Sequence, residues 1–356
     1  MSSLRPAAPS LTGMLAYDPK YLAADVMLSA NESPLDVPAG VRDSIAERVA
    51  CLPFNRYPEP LATGLRQKLA EHWGVKPANV LVGNGGDELI FDLLAAWGGP
   101  GRSMLNFPPT FSSYETDAVL TNTTVVNIPR TGGDYHIDVD AAVDAIASGD
   151  IDIAFLTSPN NPTGMGTPTG DIERLLDAGD ALIVVDEAYG EFMGRTCQEL
   201  LEGHGNLVIL HTLSKAYRCA GVRLGYILAG TGVISELKKV RQPYSVDSVS
   251  QIVGEEVVKH AADFEEAIGQ TRSERERLMS RLSAIDGVEV HPSEANFILV
   301  HVQYATHVWR ELHKAHGVLV RDVSGDPRLA GCLRLTVGTP EENDRLVEAL
   351  GEVLEV

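Results

Sequence analysis

Hydrophobic positions in this chain fall into short unbroken runs separated by stretches of helical length. Residues 79–82, 151–157, 182–185 and 207–211 are such runs, each too short for a helix of normal length. Continuous apolar runs of this kind suit strands covered on both faces, as in a parallel sheet whose crossovers are helices. Residues 88–94 carry a helical pattern behind the turn Gly83-Asn84-Gly85-Gly86. Further on, Val249, Ile252, Val253, Val257, Ala261, Phe264 and Ile268 recur at spacings of three and four, which predicts one long helix with an apolar face. Residues 296–302 and 333–337 read as strands, with a helix over 306–316 between them. Thr339-Pro340-Glu341-Glu342 has the arrangement of a capping box, so the last helix starts there. The expectation is an α/β protein with a mostly parallel central sheet flanked by helices over residues 31–245. A long connecting helix and a smaller α+β domain follow over 246–356, with an arm, residues 1–30, beside it.

Composition narrows the partners. The formal net charge is −20, from 29 Lys and Arg against 49 Asp and Glu. Such a charge argues against non-specific attraction to nucleic acid or to an anionic membrane, while leaving room for a local cluster of arginines. No apolar run reaches signal-peptide or bilayer-spanning length. Cys51, Cys197, Cys219 and Cys332 lie far apart with no CxxC pair, so neither a disulfide framework nor a zinc site is expected, and a reducing cytoplasm is. His313 and His316 read as structural residues of a surface helix, and no metal is expected.

In open α/β sheets ligands bind beyond the carboxyl ends of the strands, and four signals fall there. Asp186 closes a buried run, where a carboxylate is costly unless paired. In isolation it would read as a helix cap. As a functional group it would hold a pyridinium nitrogen protonated, with Tyr189 three residues on reaching a ring hydroxyl. The segment Ser158-Pro159-Asn160-Asn161-Pro162-Thr163-Gly164 is a stiff turn that presents the Asn161 amide. Lys215 follows another buried run, bracketed by Thr212 and Ser214, with Arg223 eight residues later. Nearby cationic charge lowers a lysine pKa, as an imine-forming amine requires, and the hydroxyls and guanidinium suit a phosphate ester. Gly85, Gly86 and Asp87 open a helix whose N-terminal N–H groups favour an anion. Counted from Gly83, that turn lacks the third small residue of the dinucleotide fingerprint.

Together and in this order, these segments resemble the fold-type I aminotransferases that use pyridoxal 5′-phosphate (PLP), over nearly the whole chain. The nearer resemblance is to the histidinol-phosphate aminotransferase family. It is carried by Ala30-Asn31-Glu32-Ser33-Pro34, Arg56-Tyr57-Pro58-Glu59-Pro60, the Ser158–Gly164 and Val185–Tyr189 segments, His291-Pro292-Ser293-Glu294-Ala295-Asn296-Phe297 and Gly331-Cys332-Leu333-Arg334-Leu335-Thr336-Val337-Gly338.

The resemblance implies that Lys215 holds PLP as a Schiff base and moves the proton at the substrate carbon. It implies that Asp186 pairs with the pyridine nitrogen, and that Tyr189 and Asn161 contact the ring oxygen. Gly85, Gly86, Asp87, Thr212, Ser214 and Arg223 would surround the phosphate, and Phe111 would stack on the ring where many relatives have tyrosine. Tyr57 would reach the cofactor phosphate of a neighbour, making a homodimer with shared active sites. Arg334 and Arg321, with Tyr17 and Asn161, would bind the substrate. The reaction implied is histidinol phosphate plus 2-oxoglutarate giving imidazole acetol phosphate plus glutamate. Other readings remain: an aminotransferase for aromatic or other amino acids, and a PLP-dependent decarboxylase of a phosphorylated amino acid. A nicotinamide-dependent oxidoreductase and a PLP-fold binding protein without catalysis are disfavoured by the residues above.

Overall fold

The computed structural model describes residues 5, 7–14, 16 and 22–355. After β1 (Val26–Met27), seven strands build one sheet: β2 (Val80–Gly83), β3 (Ser103–Asn106), β4 (Thr124–Asn127), β5 (Ile153–Thr157), β6 (Leu182–Asp186), β7 (Leu207–Thr212) and β8 (Gly225–Ala229). Their order is β2-β8-β7-β6-β5-β3-β4. Only β8 runs against the others. Every residue of β5, β6, β7 and β8 is buried, because helices cover both faces. Alternation along the strands divides the core accordingly. Ala154, Leu156, Ile183 and Val185 join one apolar cluster, while Ile153, Phe155, Leu182 and Val184 join the other.

A second, smaller body follows: β9 (Val288–Val290), β10 (Phe297–Val302), β11 (Val318–Leu319), β12 (Arg321–Asp322) and β13 (Cys332–Thr336). Four of these form an antiparallel sheet in the order β12-β13-β10-β9, and β11 pairs in parallel with β1. Val26 and Leu28 therefore share a core with Leu278, Ile298, Leu335 and Leu346. The helix Pro340–Leu354 opens on the expected capping box. Thr339 Oγ1 accepts from the Glu342 N–H at 3.2 Å, and the Glu342 carboxylate accepts from the Thr339 N–H at 2.8 Å.

One expectation needs revision. The apolar stripe of residues 249–268 is not one helix but Ser248–Lys259, a tight 3-10 turn Ala261–Phe264, and Glu265–Leu282. His260 leaves helical geometry at φ −108°, ψ 24°. The turn nevertheless returns Phe264 and Ile268 to the interior, so the apolar spacing survives the break.

The sheet's topology gathers the loops at one edge. Parallel β5, β6 and β7 end there, and the reversed β8 begins there. Thr157 is registered with Asp186, Thr212 with Gly225, and Gly225 with Gly83.

Candidate active site

Lys215 lies three residues beyond Thr212, the last residue of β7, and is half-buried. Its Nζ donates to the Ala30 carbonyl at 3.0 Å and sits 5.9 Å from the centroid of the Tyr189 ring. Burial pulls its pKa down to about 8, helped by the positive charges of Arg334 and Arg223. A useful fraction of the amine is thus unprotonated near neutral pH, which a nucleophile and proton carrier needs.

Asp186 is 4% exposed at the end of β6. Burial pushes its carboxyl pKa up to about 6, opposed by hydrogen bonds from Tyr114 and from the Ala188 N–H. The Ala188 N–H donates to Oδ1 at 3.0 Å, and the Tyr114 hydroxyl donates to Oδ2 at 2.6 Å. Tyr189, just past the same strand, is buried, and its hydroxyl accepts from Asn31 Nδ2 at 3.0 Å. Asn31 takes a left-handed conformation (φ 53°) and is itself buried.

Across the edge, the turn at Gly83–Gly86 opens a helix whose first N–H groups could hold an anion. A side chain at Gly85 would meet the Arg223 guanidinium at 2.8 Å, and one at Gly225 would meet the Gly85 and Gly86 backbone at 2.8 Å. Glycine is required at both. Gly85, Gly86 and Asp87 form the first turn of the helix Gly85–Trp97, so its free N–H groups face this space. Arg223 Nη2 lies 3.0 Å from Asp87 Oδ2, which orients its fork, and the hydroxyls of Thr212 and Ser214 are 2.9 Å apart. A cleft of about 310 Å³ between residues 32–36 and the Ser214–Gly221 loop opens beside Ser214.

The smaller body supplies the cations. Arg334 on β13 donates to Asn161 Oδ1 at 2.6 Å and to the Ser29 carbonyl at 2.7 Å, with its guanidinium 5.5 Å from the Phe297 ring. Since a guanidinium only donates, Asn161 must turn Oδ1 toward Arg334, which leaves its Nδ2 as a donor on the other side of the amide. Arg321 is registered directly opposite Arg334 across β12 and β13. Directly opposed residues project from the same face of a sheet, so the two guanidinium groups share one side.

The structure thus brings Lys215, Tyr189, Asn161 and Arg334 to one edge, with Asp186 behind them. Gly85, Gly86, Asp87, Thr212, Ser214 and Arg223 are grouped around the turn that opens the helix Gly85–Trp97. Phe111 lies edge-on to Tyr114 at 5.6 Å, ahead of the helix Ser113–Thr121. Tyr57 instead stands 81% exposed, its ring stacked on Tyr244 at 4.7 Å. Tyr17 falls outside the described residues. Tyr114 and Asn31 were not singled out from the sequence as site residues. Their partners lie 72 and 158 positions away, where no local pattern could show them.

Comparison with known proteins gives the same direction. A family model described as aminotransferase class I and II matches residues 24–350. Histidinol-phosphate aminotransferase 1 of Carboxydothermus hydrogenoformans is 43% identical over 339 residues, covering 95% of each chain. The crystal structure of histidinol-phosphate aminotransferase from Sinorhizobium meliloti in complex with pyridoxal-5′-phosphate superposes with a TM-score of 0.89 over 99% of both chains. At 23% identity this is a likeness of fold. L-threonine-O-3-phosphate decarboxylase from Porphyromonas gingivalis superposes with a TM-score of 0.82, covering 93% of this chain and 100% of that one at 27% identity.

Proposed function

Because this chain belongs to the class I and II aminotransferase family, we propose that it is a PLP-dependent transaminase acting on histidinol phosphate and 2-oxoglutarate in histidine biosynthesis. The observation that carries this reading is a half-buried lysine with a lowered pKa between an anion cradle and a pair of opposed arginines. The residues present fit PLP. The missing side chain at Gly85 lets Arg223 lie against the helix's first turn, and that at Gly225 lets the Gly85–Gly86 backbone pack close, so guanidinium and N–H groups could converge on a phosphate. Asp186 lies on the buried strand end as a pyridine nitrogen's partner should, and Asn161 Nδ2 with the Tyr189 hydroxyl suits the ring oxygen.

When bound, PLP supplies an electron sink for charge that develops at the substrate α-carbon. The protein's part is to orient and to move protons. Lys215 would hold the cofactor, and its Nζ would take and return the proton at the substrate carbon. Asp186 supplies the negative charge that keeps the ring nitrogen protonated. Arg223, Thr212, Ser214 and the helix N-terminus fix the phosphate end. Arg334 and Arg321 would donate in forked pairs to either the carboxylate of glutamate or the phosphate of histidinol phosphate, as one pocket serving two half-reactions must. Tyr17 would close over the same group.

Exposed Phe54, Tyr57 and Tyr244 support a homodimer in which Tyr57 reaches the neighbour's cofactor phosphate. With all four cysteines free, a reducing cytoplasm is the setting we propose.

A substrate panel tests the assignment. The purified protein should be yellow, and borohydride should fix the chromophore to Lys215. Histidinol phosphate with 2-oxoglutarate should release glutamate faster than aromatic amino acids do. Release of carbon dioxide from a phosphorylated amino acid, with no glutamate formed, would replace the transaminase reading by a decarboxylase.

A further inference from the structure

Asp186 is held by a side chain that belongs to none of the strand-end motifs. Tyr114 sits in the first turn of the helix Ser113–Thr121, three residues after Phe111. Its ring is fully buried and stacked on Phe155 at 4.7 Å. Its hydroxyl is 2.6 Å from Asp186 Oδ2 and 2.8 Å from Thr157 Oγ1. From Thr157 the contacts continue to Thr110 Oγ1 at 3.2 Å, and Thr110 donates to Asn160 Oδ1 at 2.7 Å. Asn160 ends the chain unambiguously. Its Nδ2 donates to the Pro109 carbonyl at 2.9 Å and to Thr163 Oγ1 at 2.7 Å, so Oδ1 can only accept.

The protons of this chain can be counted. Thr110 commits its hydroxyl proton to Asn160. With Asp186 ionised, Tyr114 donates to the carboxylate and Thr157 donates to the tyrosine oxygen. The one contact then left without a proton is Thr157 to Thr110, which is also the longest. With Asp186 protonated on Oδ2, the order reverses: Asp186 donates to Tyr114, Tyr114 to Thr157, and Thr157 to Thr110. No heavy atom needs to move. The ionised arrangement gains a charge-assisted hydrogen bond in a buried setting, where such bonds are strongest.

The charged and titratable groups around Asp186 would otherwise favour its neutral form. Asp87, at the start of the helix Gly85–Trp97, acts on it with like charge. Glu187 is next in sequence and Tyr189 lies just beyond, both buried. The cation on the Tyr114 side is Arg130, which donates to the Thr157 carbonyl at 3.2 Å and so fixes the middle of the hydroxyl chain.

We propose that Tyr114, supported by Thr157, is a positioning residue that keeps Asp186 ionised and aimed at the ring nitrogen, while Phe111 on the same turn covers the ring face. The proposal rests on the reading of Asp186 given under the proposed function. It adds the device that maintains that carboxylate's charge inside an apolar sheet.

Tyr114→Phe keeps the stacked ring and removes only the hydroxyl. With aspartate carboxyl carbons labelled, the Asp186 Cγ resonance of the cofactor-free protein, assigned through Asp186→Asn, can be followed against pH. Its midpoint should move up by about one pH unit or more in Tyr114→Phe, and by less in Thr157→Val. In the loaded enzyme, kcat should fall by about tenfold with KM for the amino donor unchanged. An Asp186 midpoint that stays in place in Tyr114→Phe overturns the proposal whatever the activity. If that variant does not fold, Thr157→Val decides by the same criterion. Wild-type kcat in fully loaded Asp186→Asn would overturn the reading of Asp186 itself. Titration of the cofactor-free protein distinguishes that failure from a failure of the Tyr114 link.

Discussion

Arg334 shows how one side chain can serve two bodies of the fold. It stands on the smaller sheet, yet donates to Asn161 on a loop of the larger one and to Ser29 on the chain's entry segment. Arg334→Ala should raise KM for both substrates by about a hundredfold, the loss expected for a forked, charge-assisted anion contact. Cofactor absorbance should be unchanged, and steady-state kinetics beside a spectrum will show whether the two effects separate. Glu191 makes a different prediction. Both of its carboxylate oxygens are buried without a hydrogen-bond partner among the described residues. Burial pushes its pKa up to about 8 from an ordinary 4.5. The folded protein therefore keeps a proton that the unfolded chain releases, and stability falls as pH rises between those two values. Glu191→Gln should raise the urea midpoint at about pH 9 and leave it nearly unchanged at about pH 4.5. An equal change at both pH values would rule out this account. At this scale the sequence revealed residues inside local patterns, such as Lys215 with Arg223. It hid Tyr114 and Asn31, whose roles depend on partners that only the folded chain brings near.

Among elements, the final helix was the most legible, because capping is local chemistry. Thr339→Ala removes one half of the reciprocal cap and should cost about 1 kcal/mol in a urea melt, with kcat unaffected. The strands β5, β6 and β7 were legible for another reason: burial on both faces leaves them unbroken apolar runs. Other elements carried weaker signals. β3 is only Ser-Met-Leu-Asn and β4 lies partly exposed at the sheet edge, so neither stands out from its surroundings. β8 follows Arg223 so closely that its Gly-Tyr-Ile-Leu-Ala is easily absorbed into the lysine-to-arginine segment. Nothing local shows that it runs antiparallel, a reversal that depends on pairing with β2 and β7. The break at His260 was invisible because a 3-10 turn advances the chain without taking Phe264 off the apolar face.

For the whole molecule, a net charge of −20 sets the terms of association. Two such chains repel, so a homodimer must be held by apolar contact and should strengthen as salt screens the repulsion. Phe54, 74% exposed near the Tyr57–Tyr244 stack, is the residue to test. Phe54→Asp should shift sedimentation toward the monomer and lower activity together. An active monomer would dispose of the shared site. The entry segment has a further consequence for the molecule as a machine. Leu28 is hydrogen-bonded to Leu319 and Thr336, and the Asn31 N–H to Thr336, so the backbone on either side of Ala30 is tied to the smaller body. The resting partner of Lys215 is therefore a carbonyl mounted on the opposite jaw. An amine given over to the cofactor would surrender that hydrogen bond, so loading the enzyme would trade a tie between the jaws for an anchor within one of them.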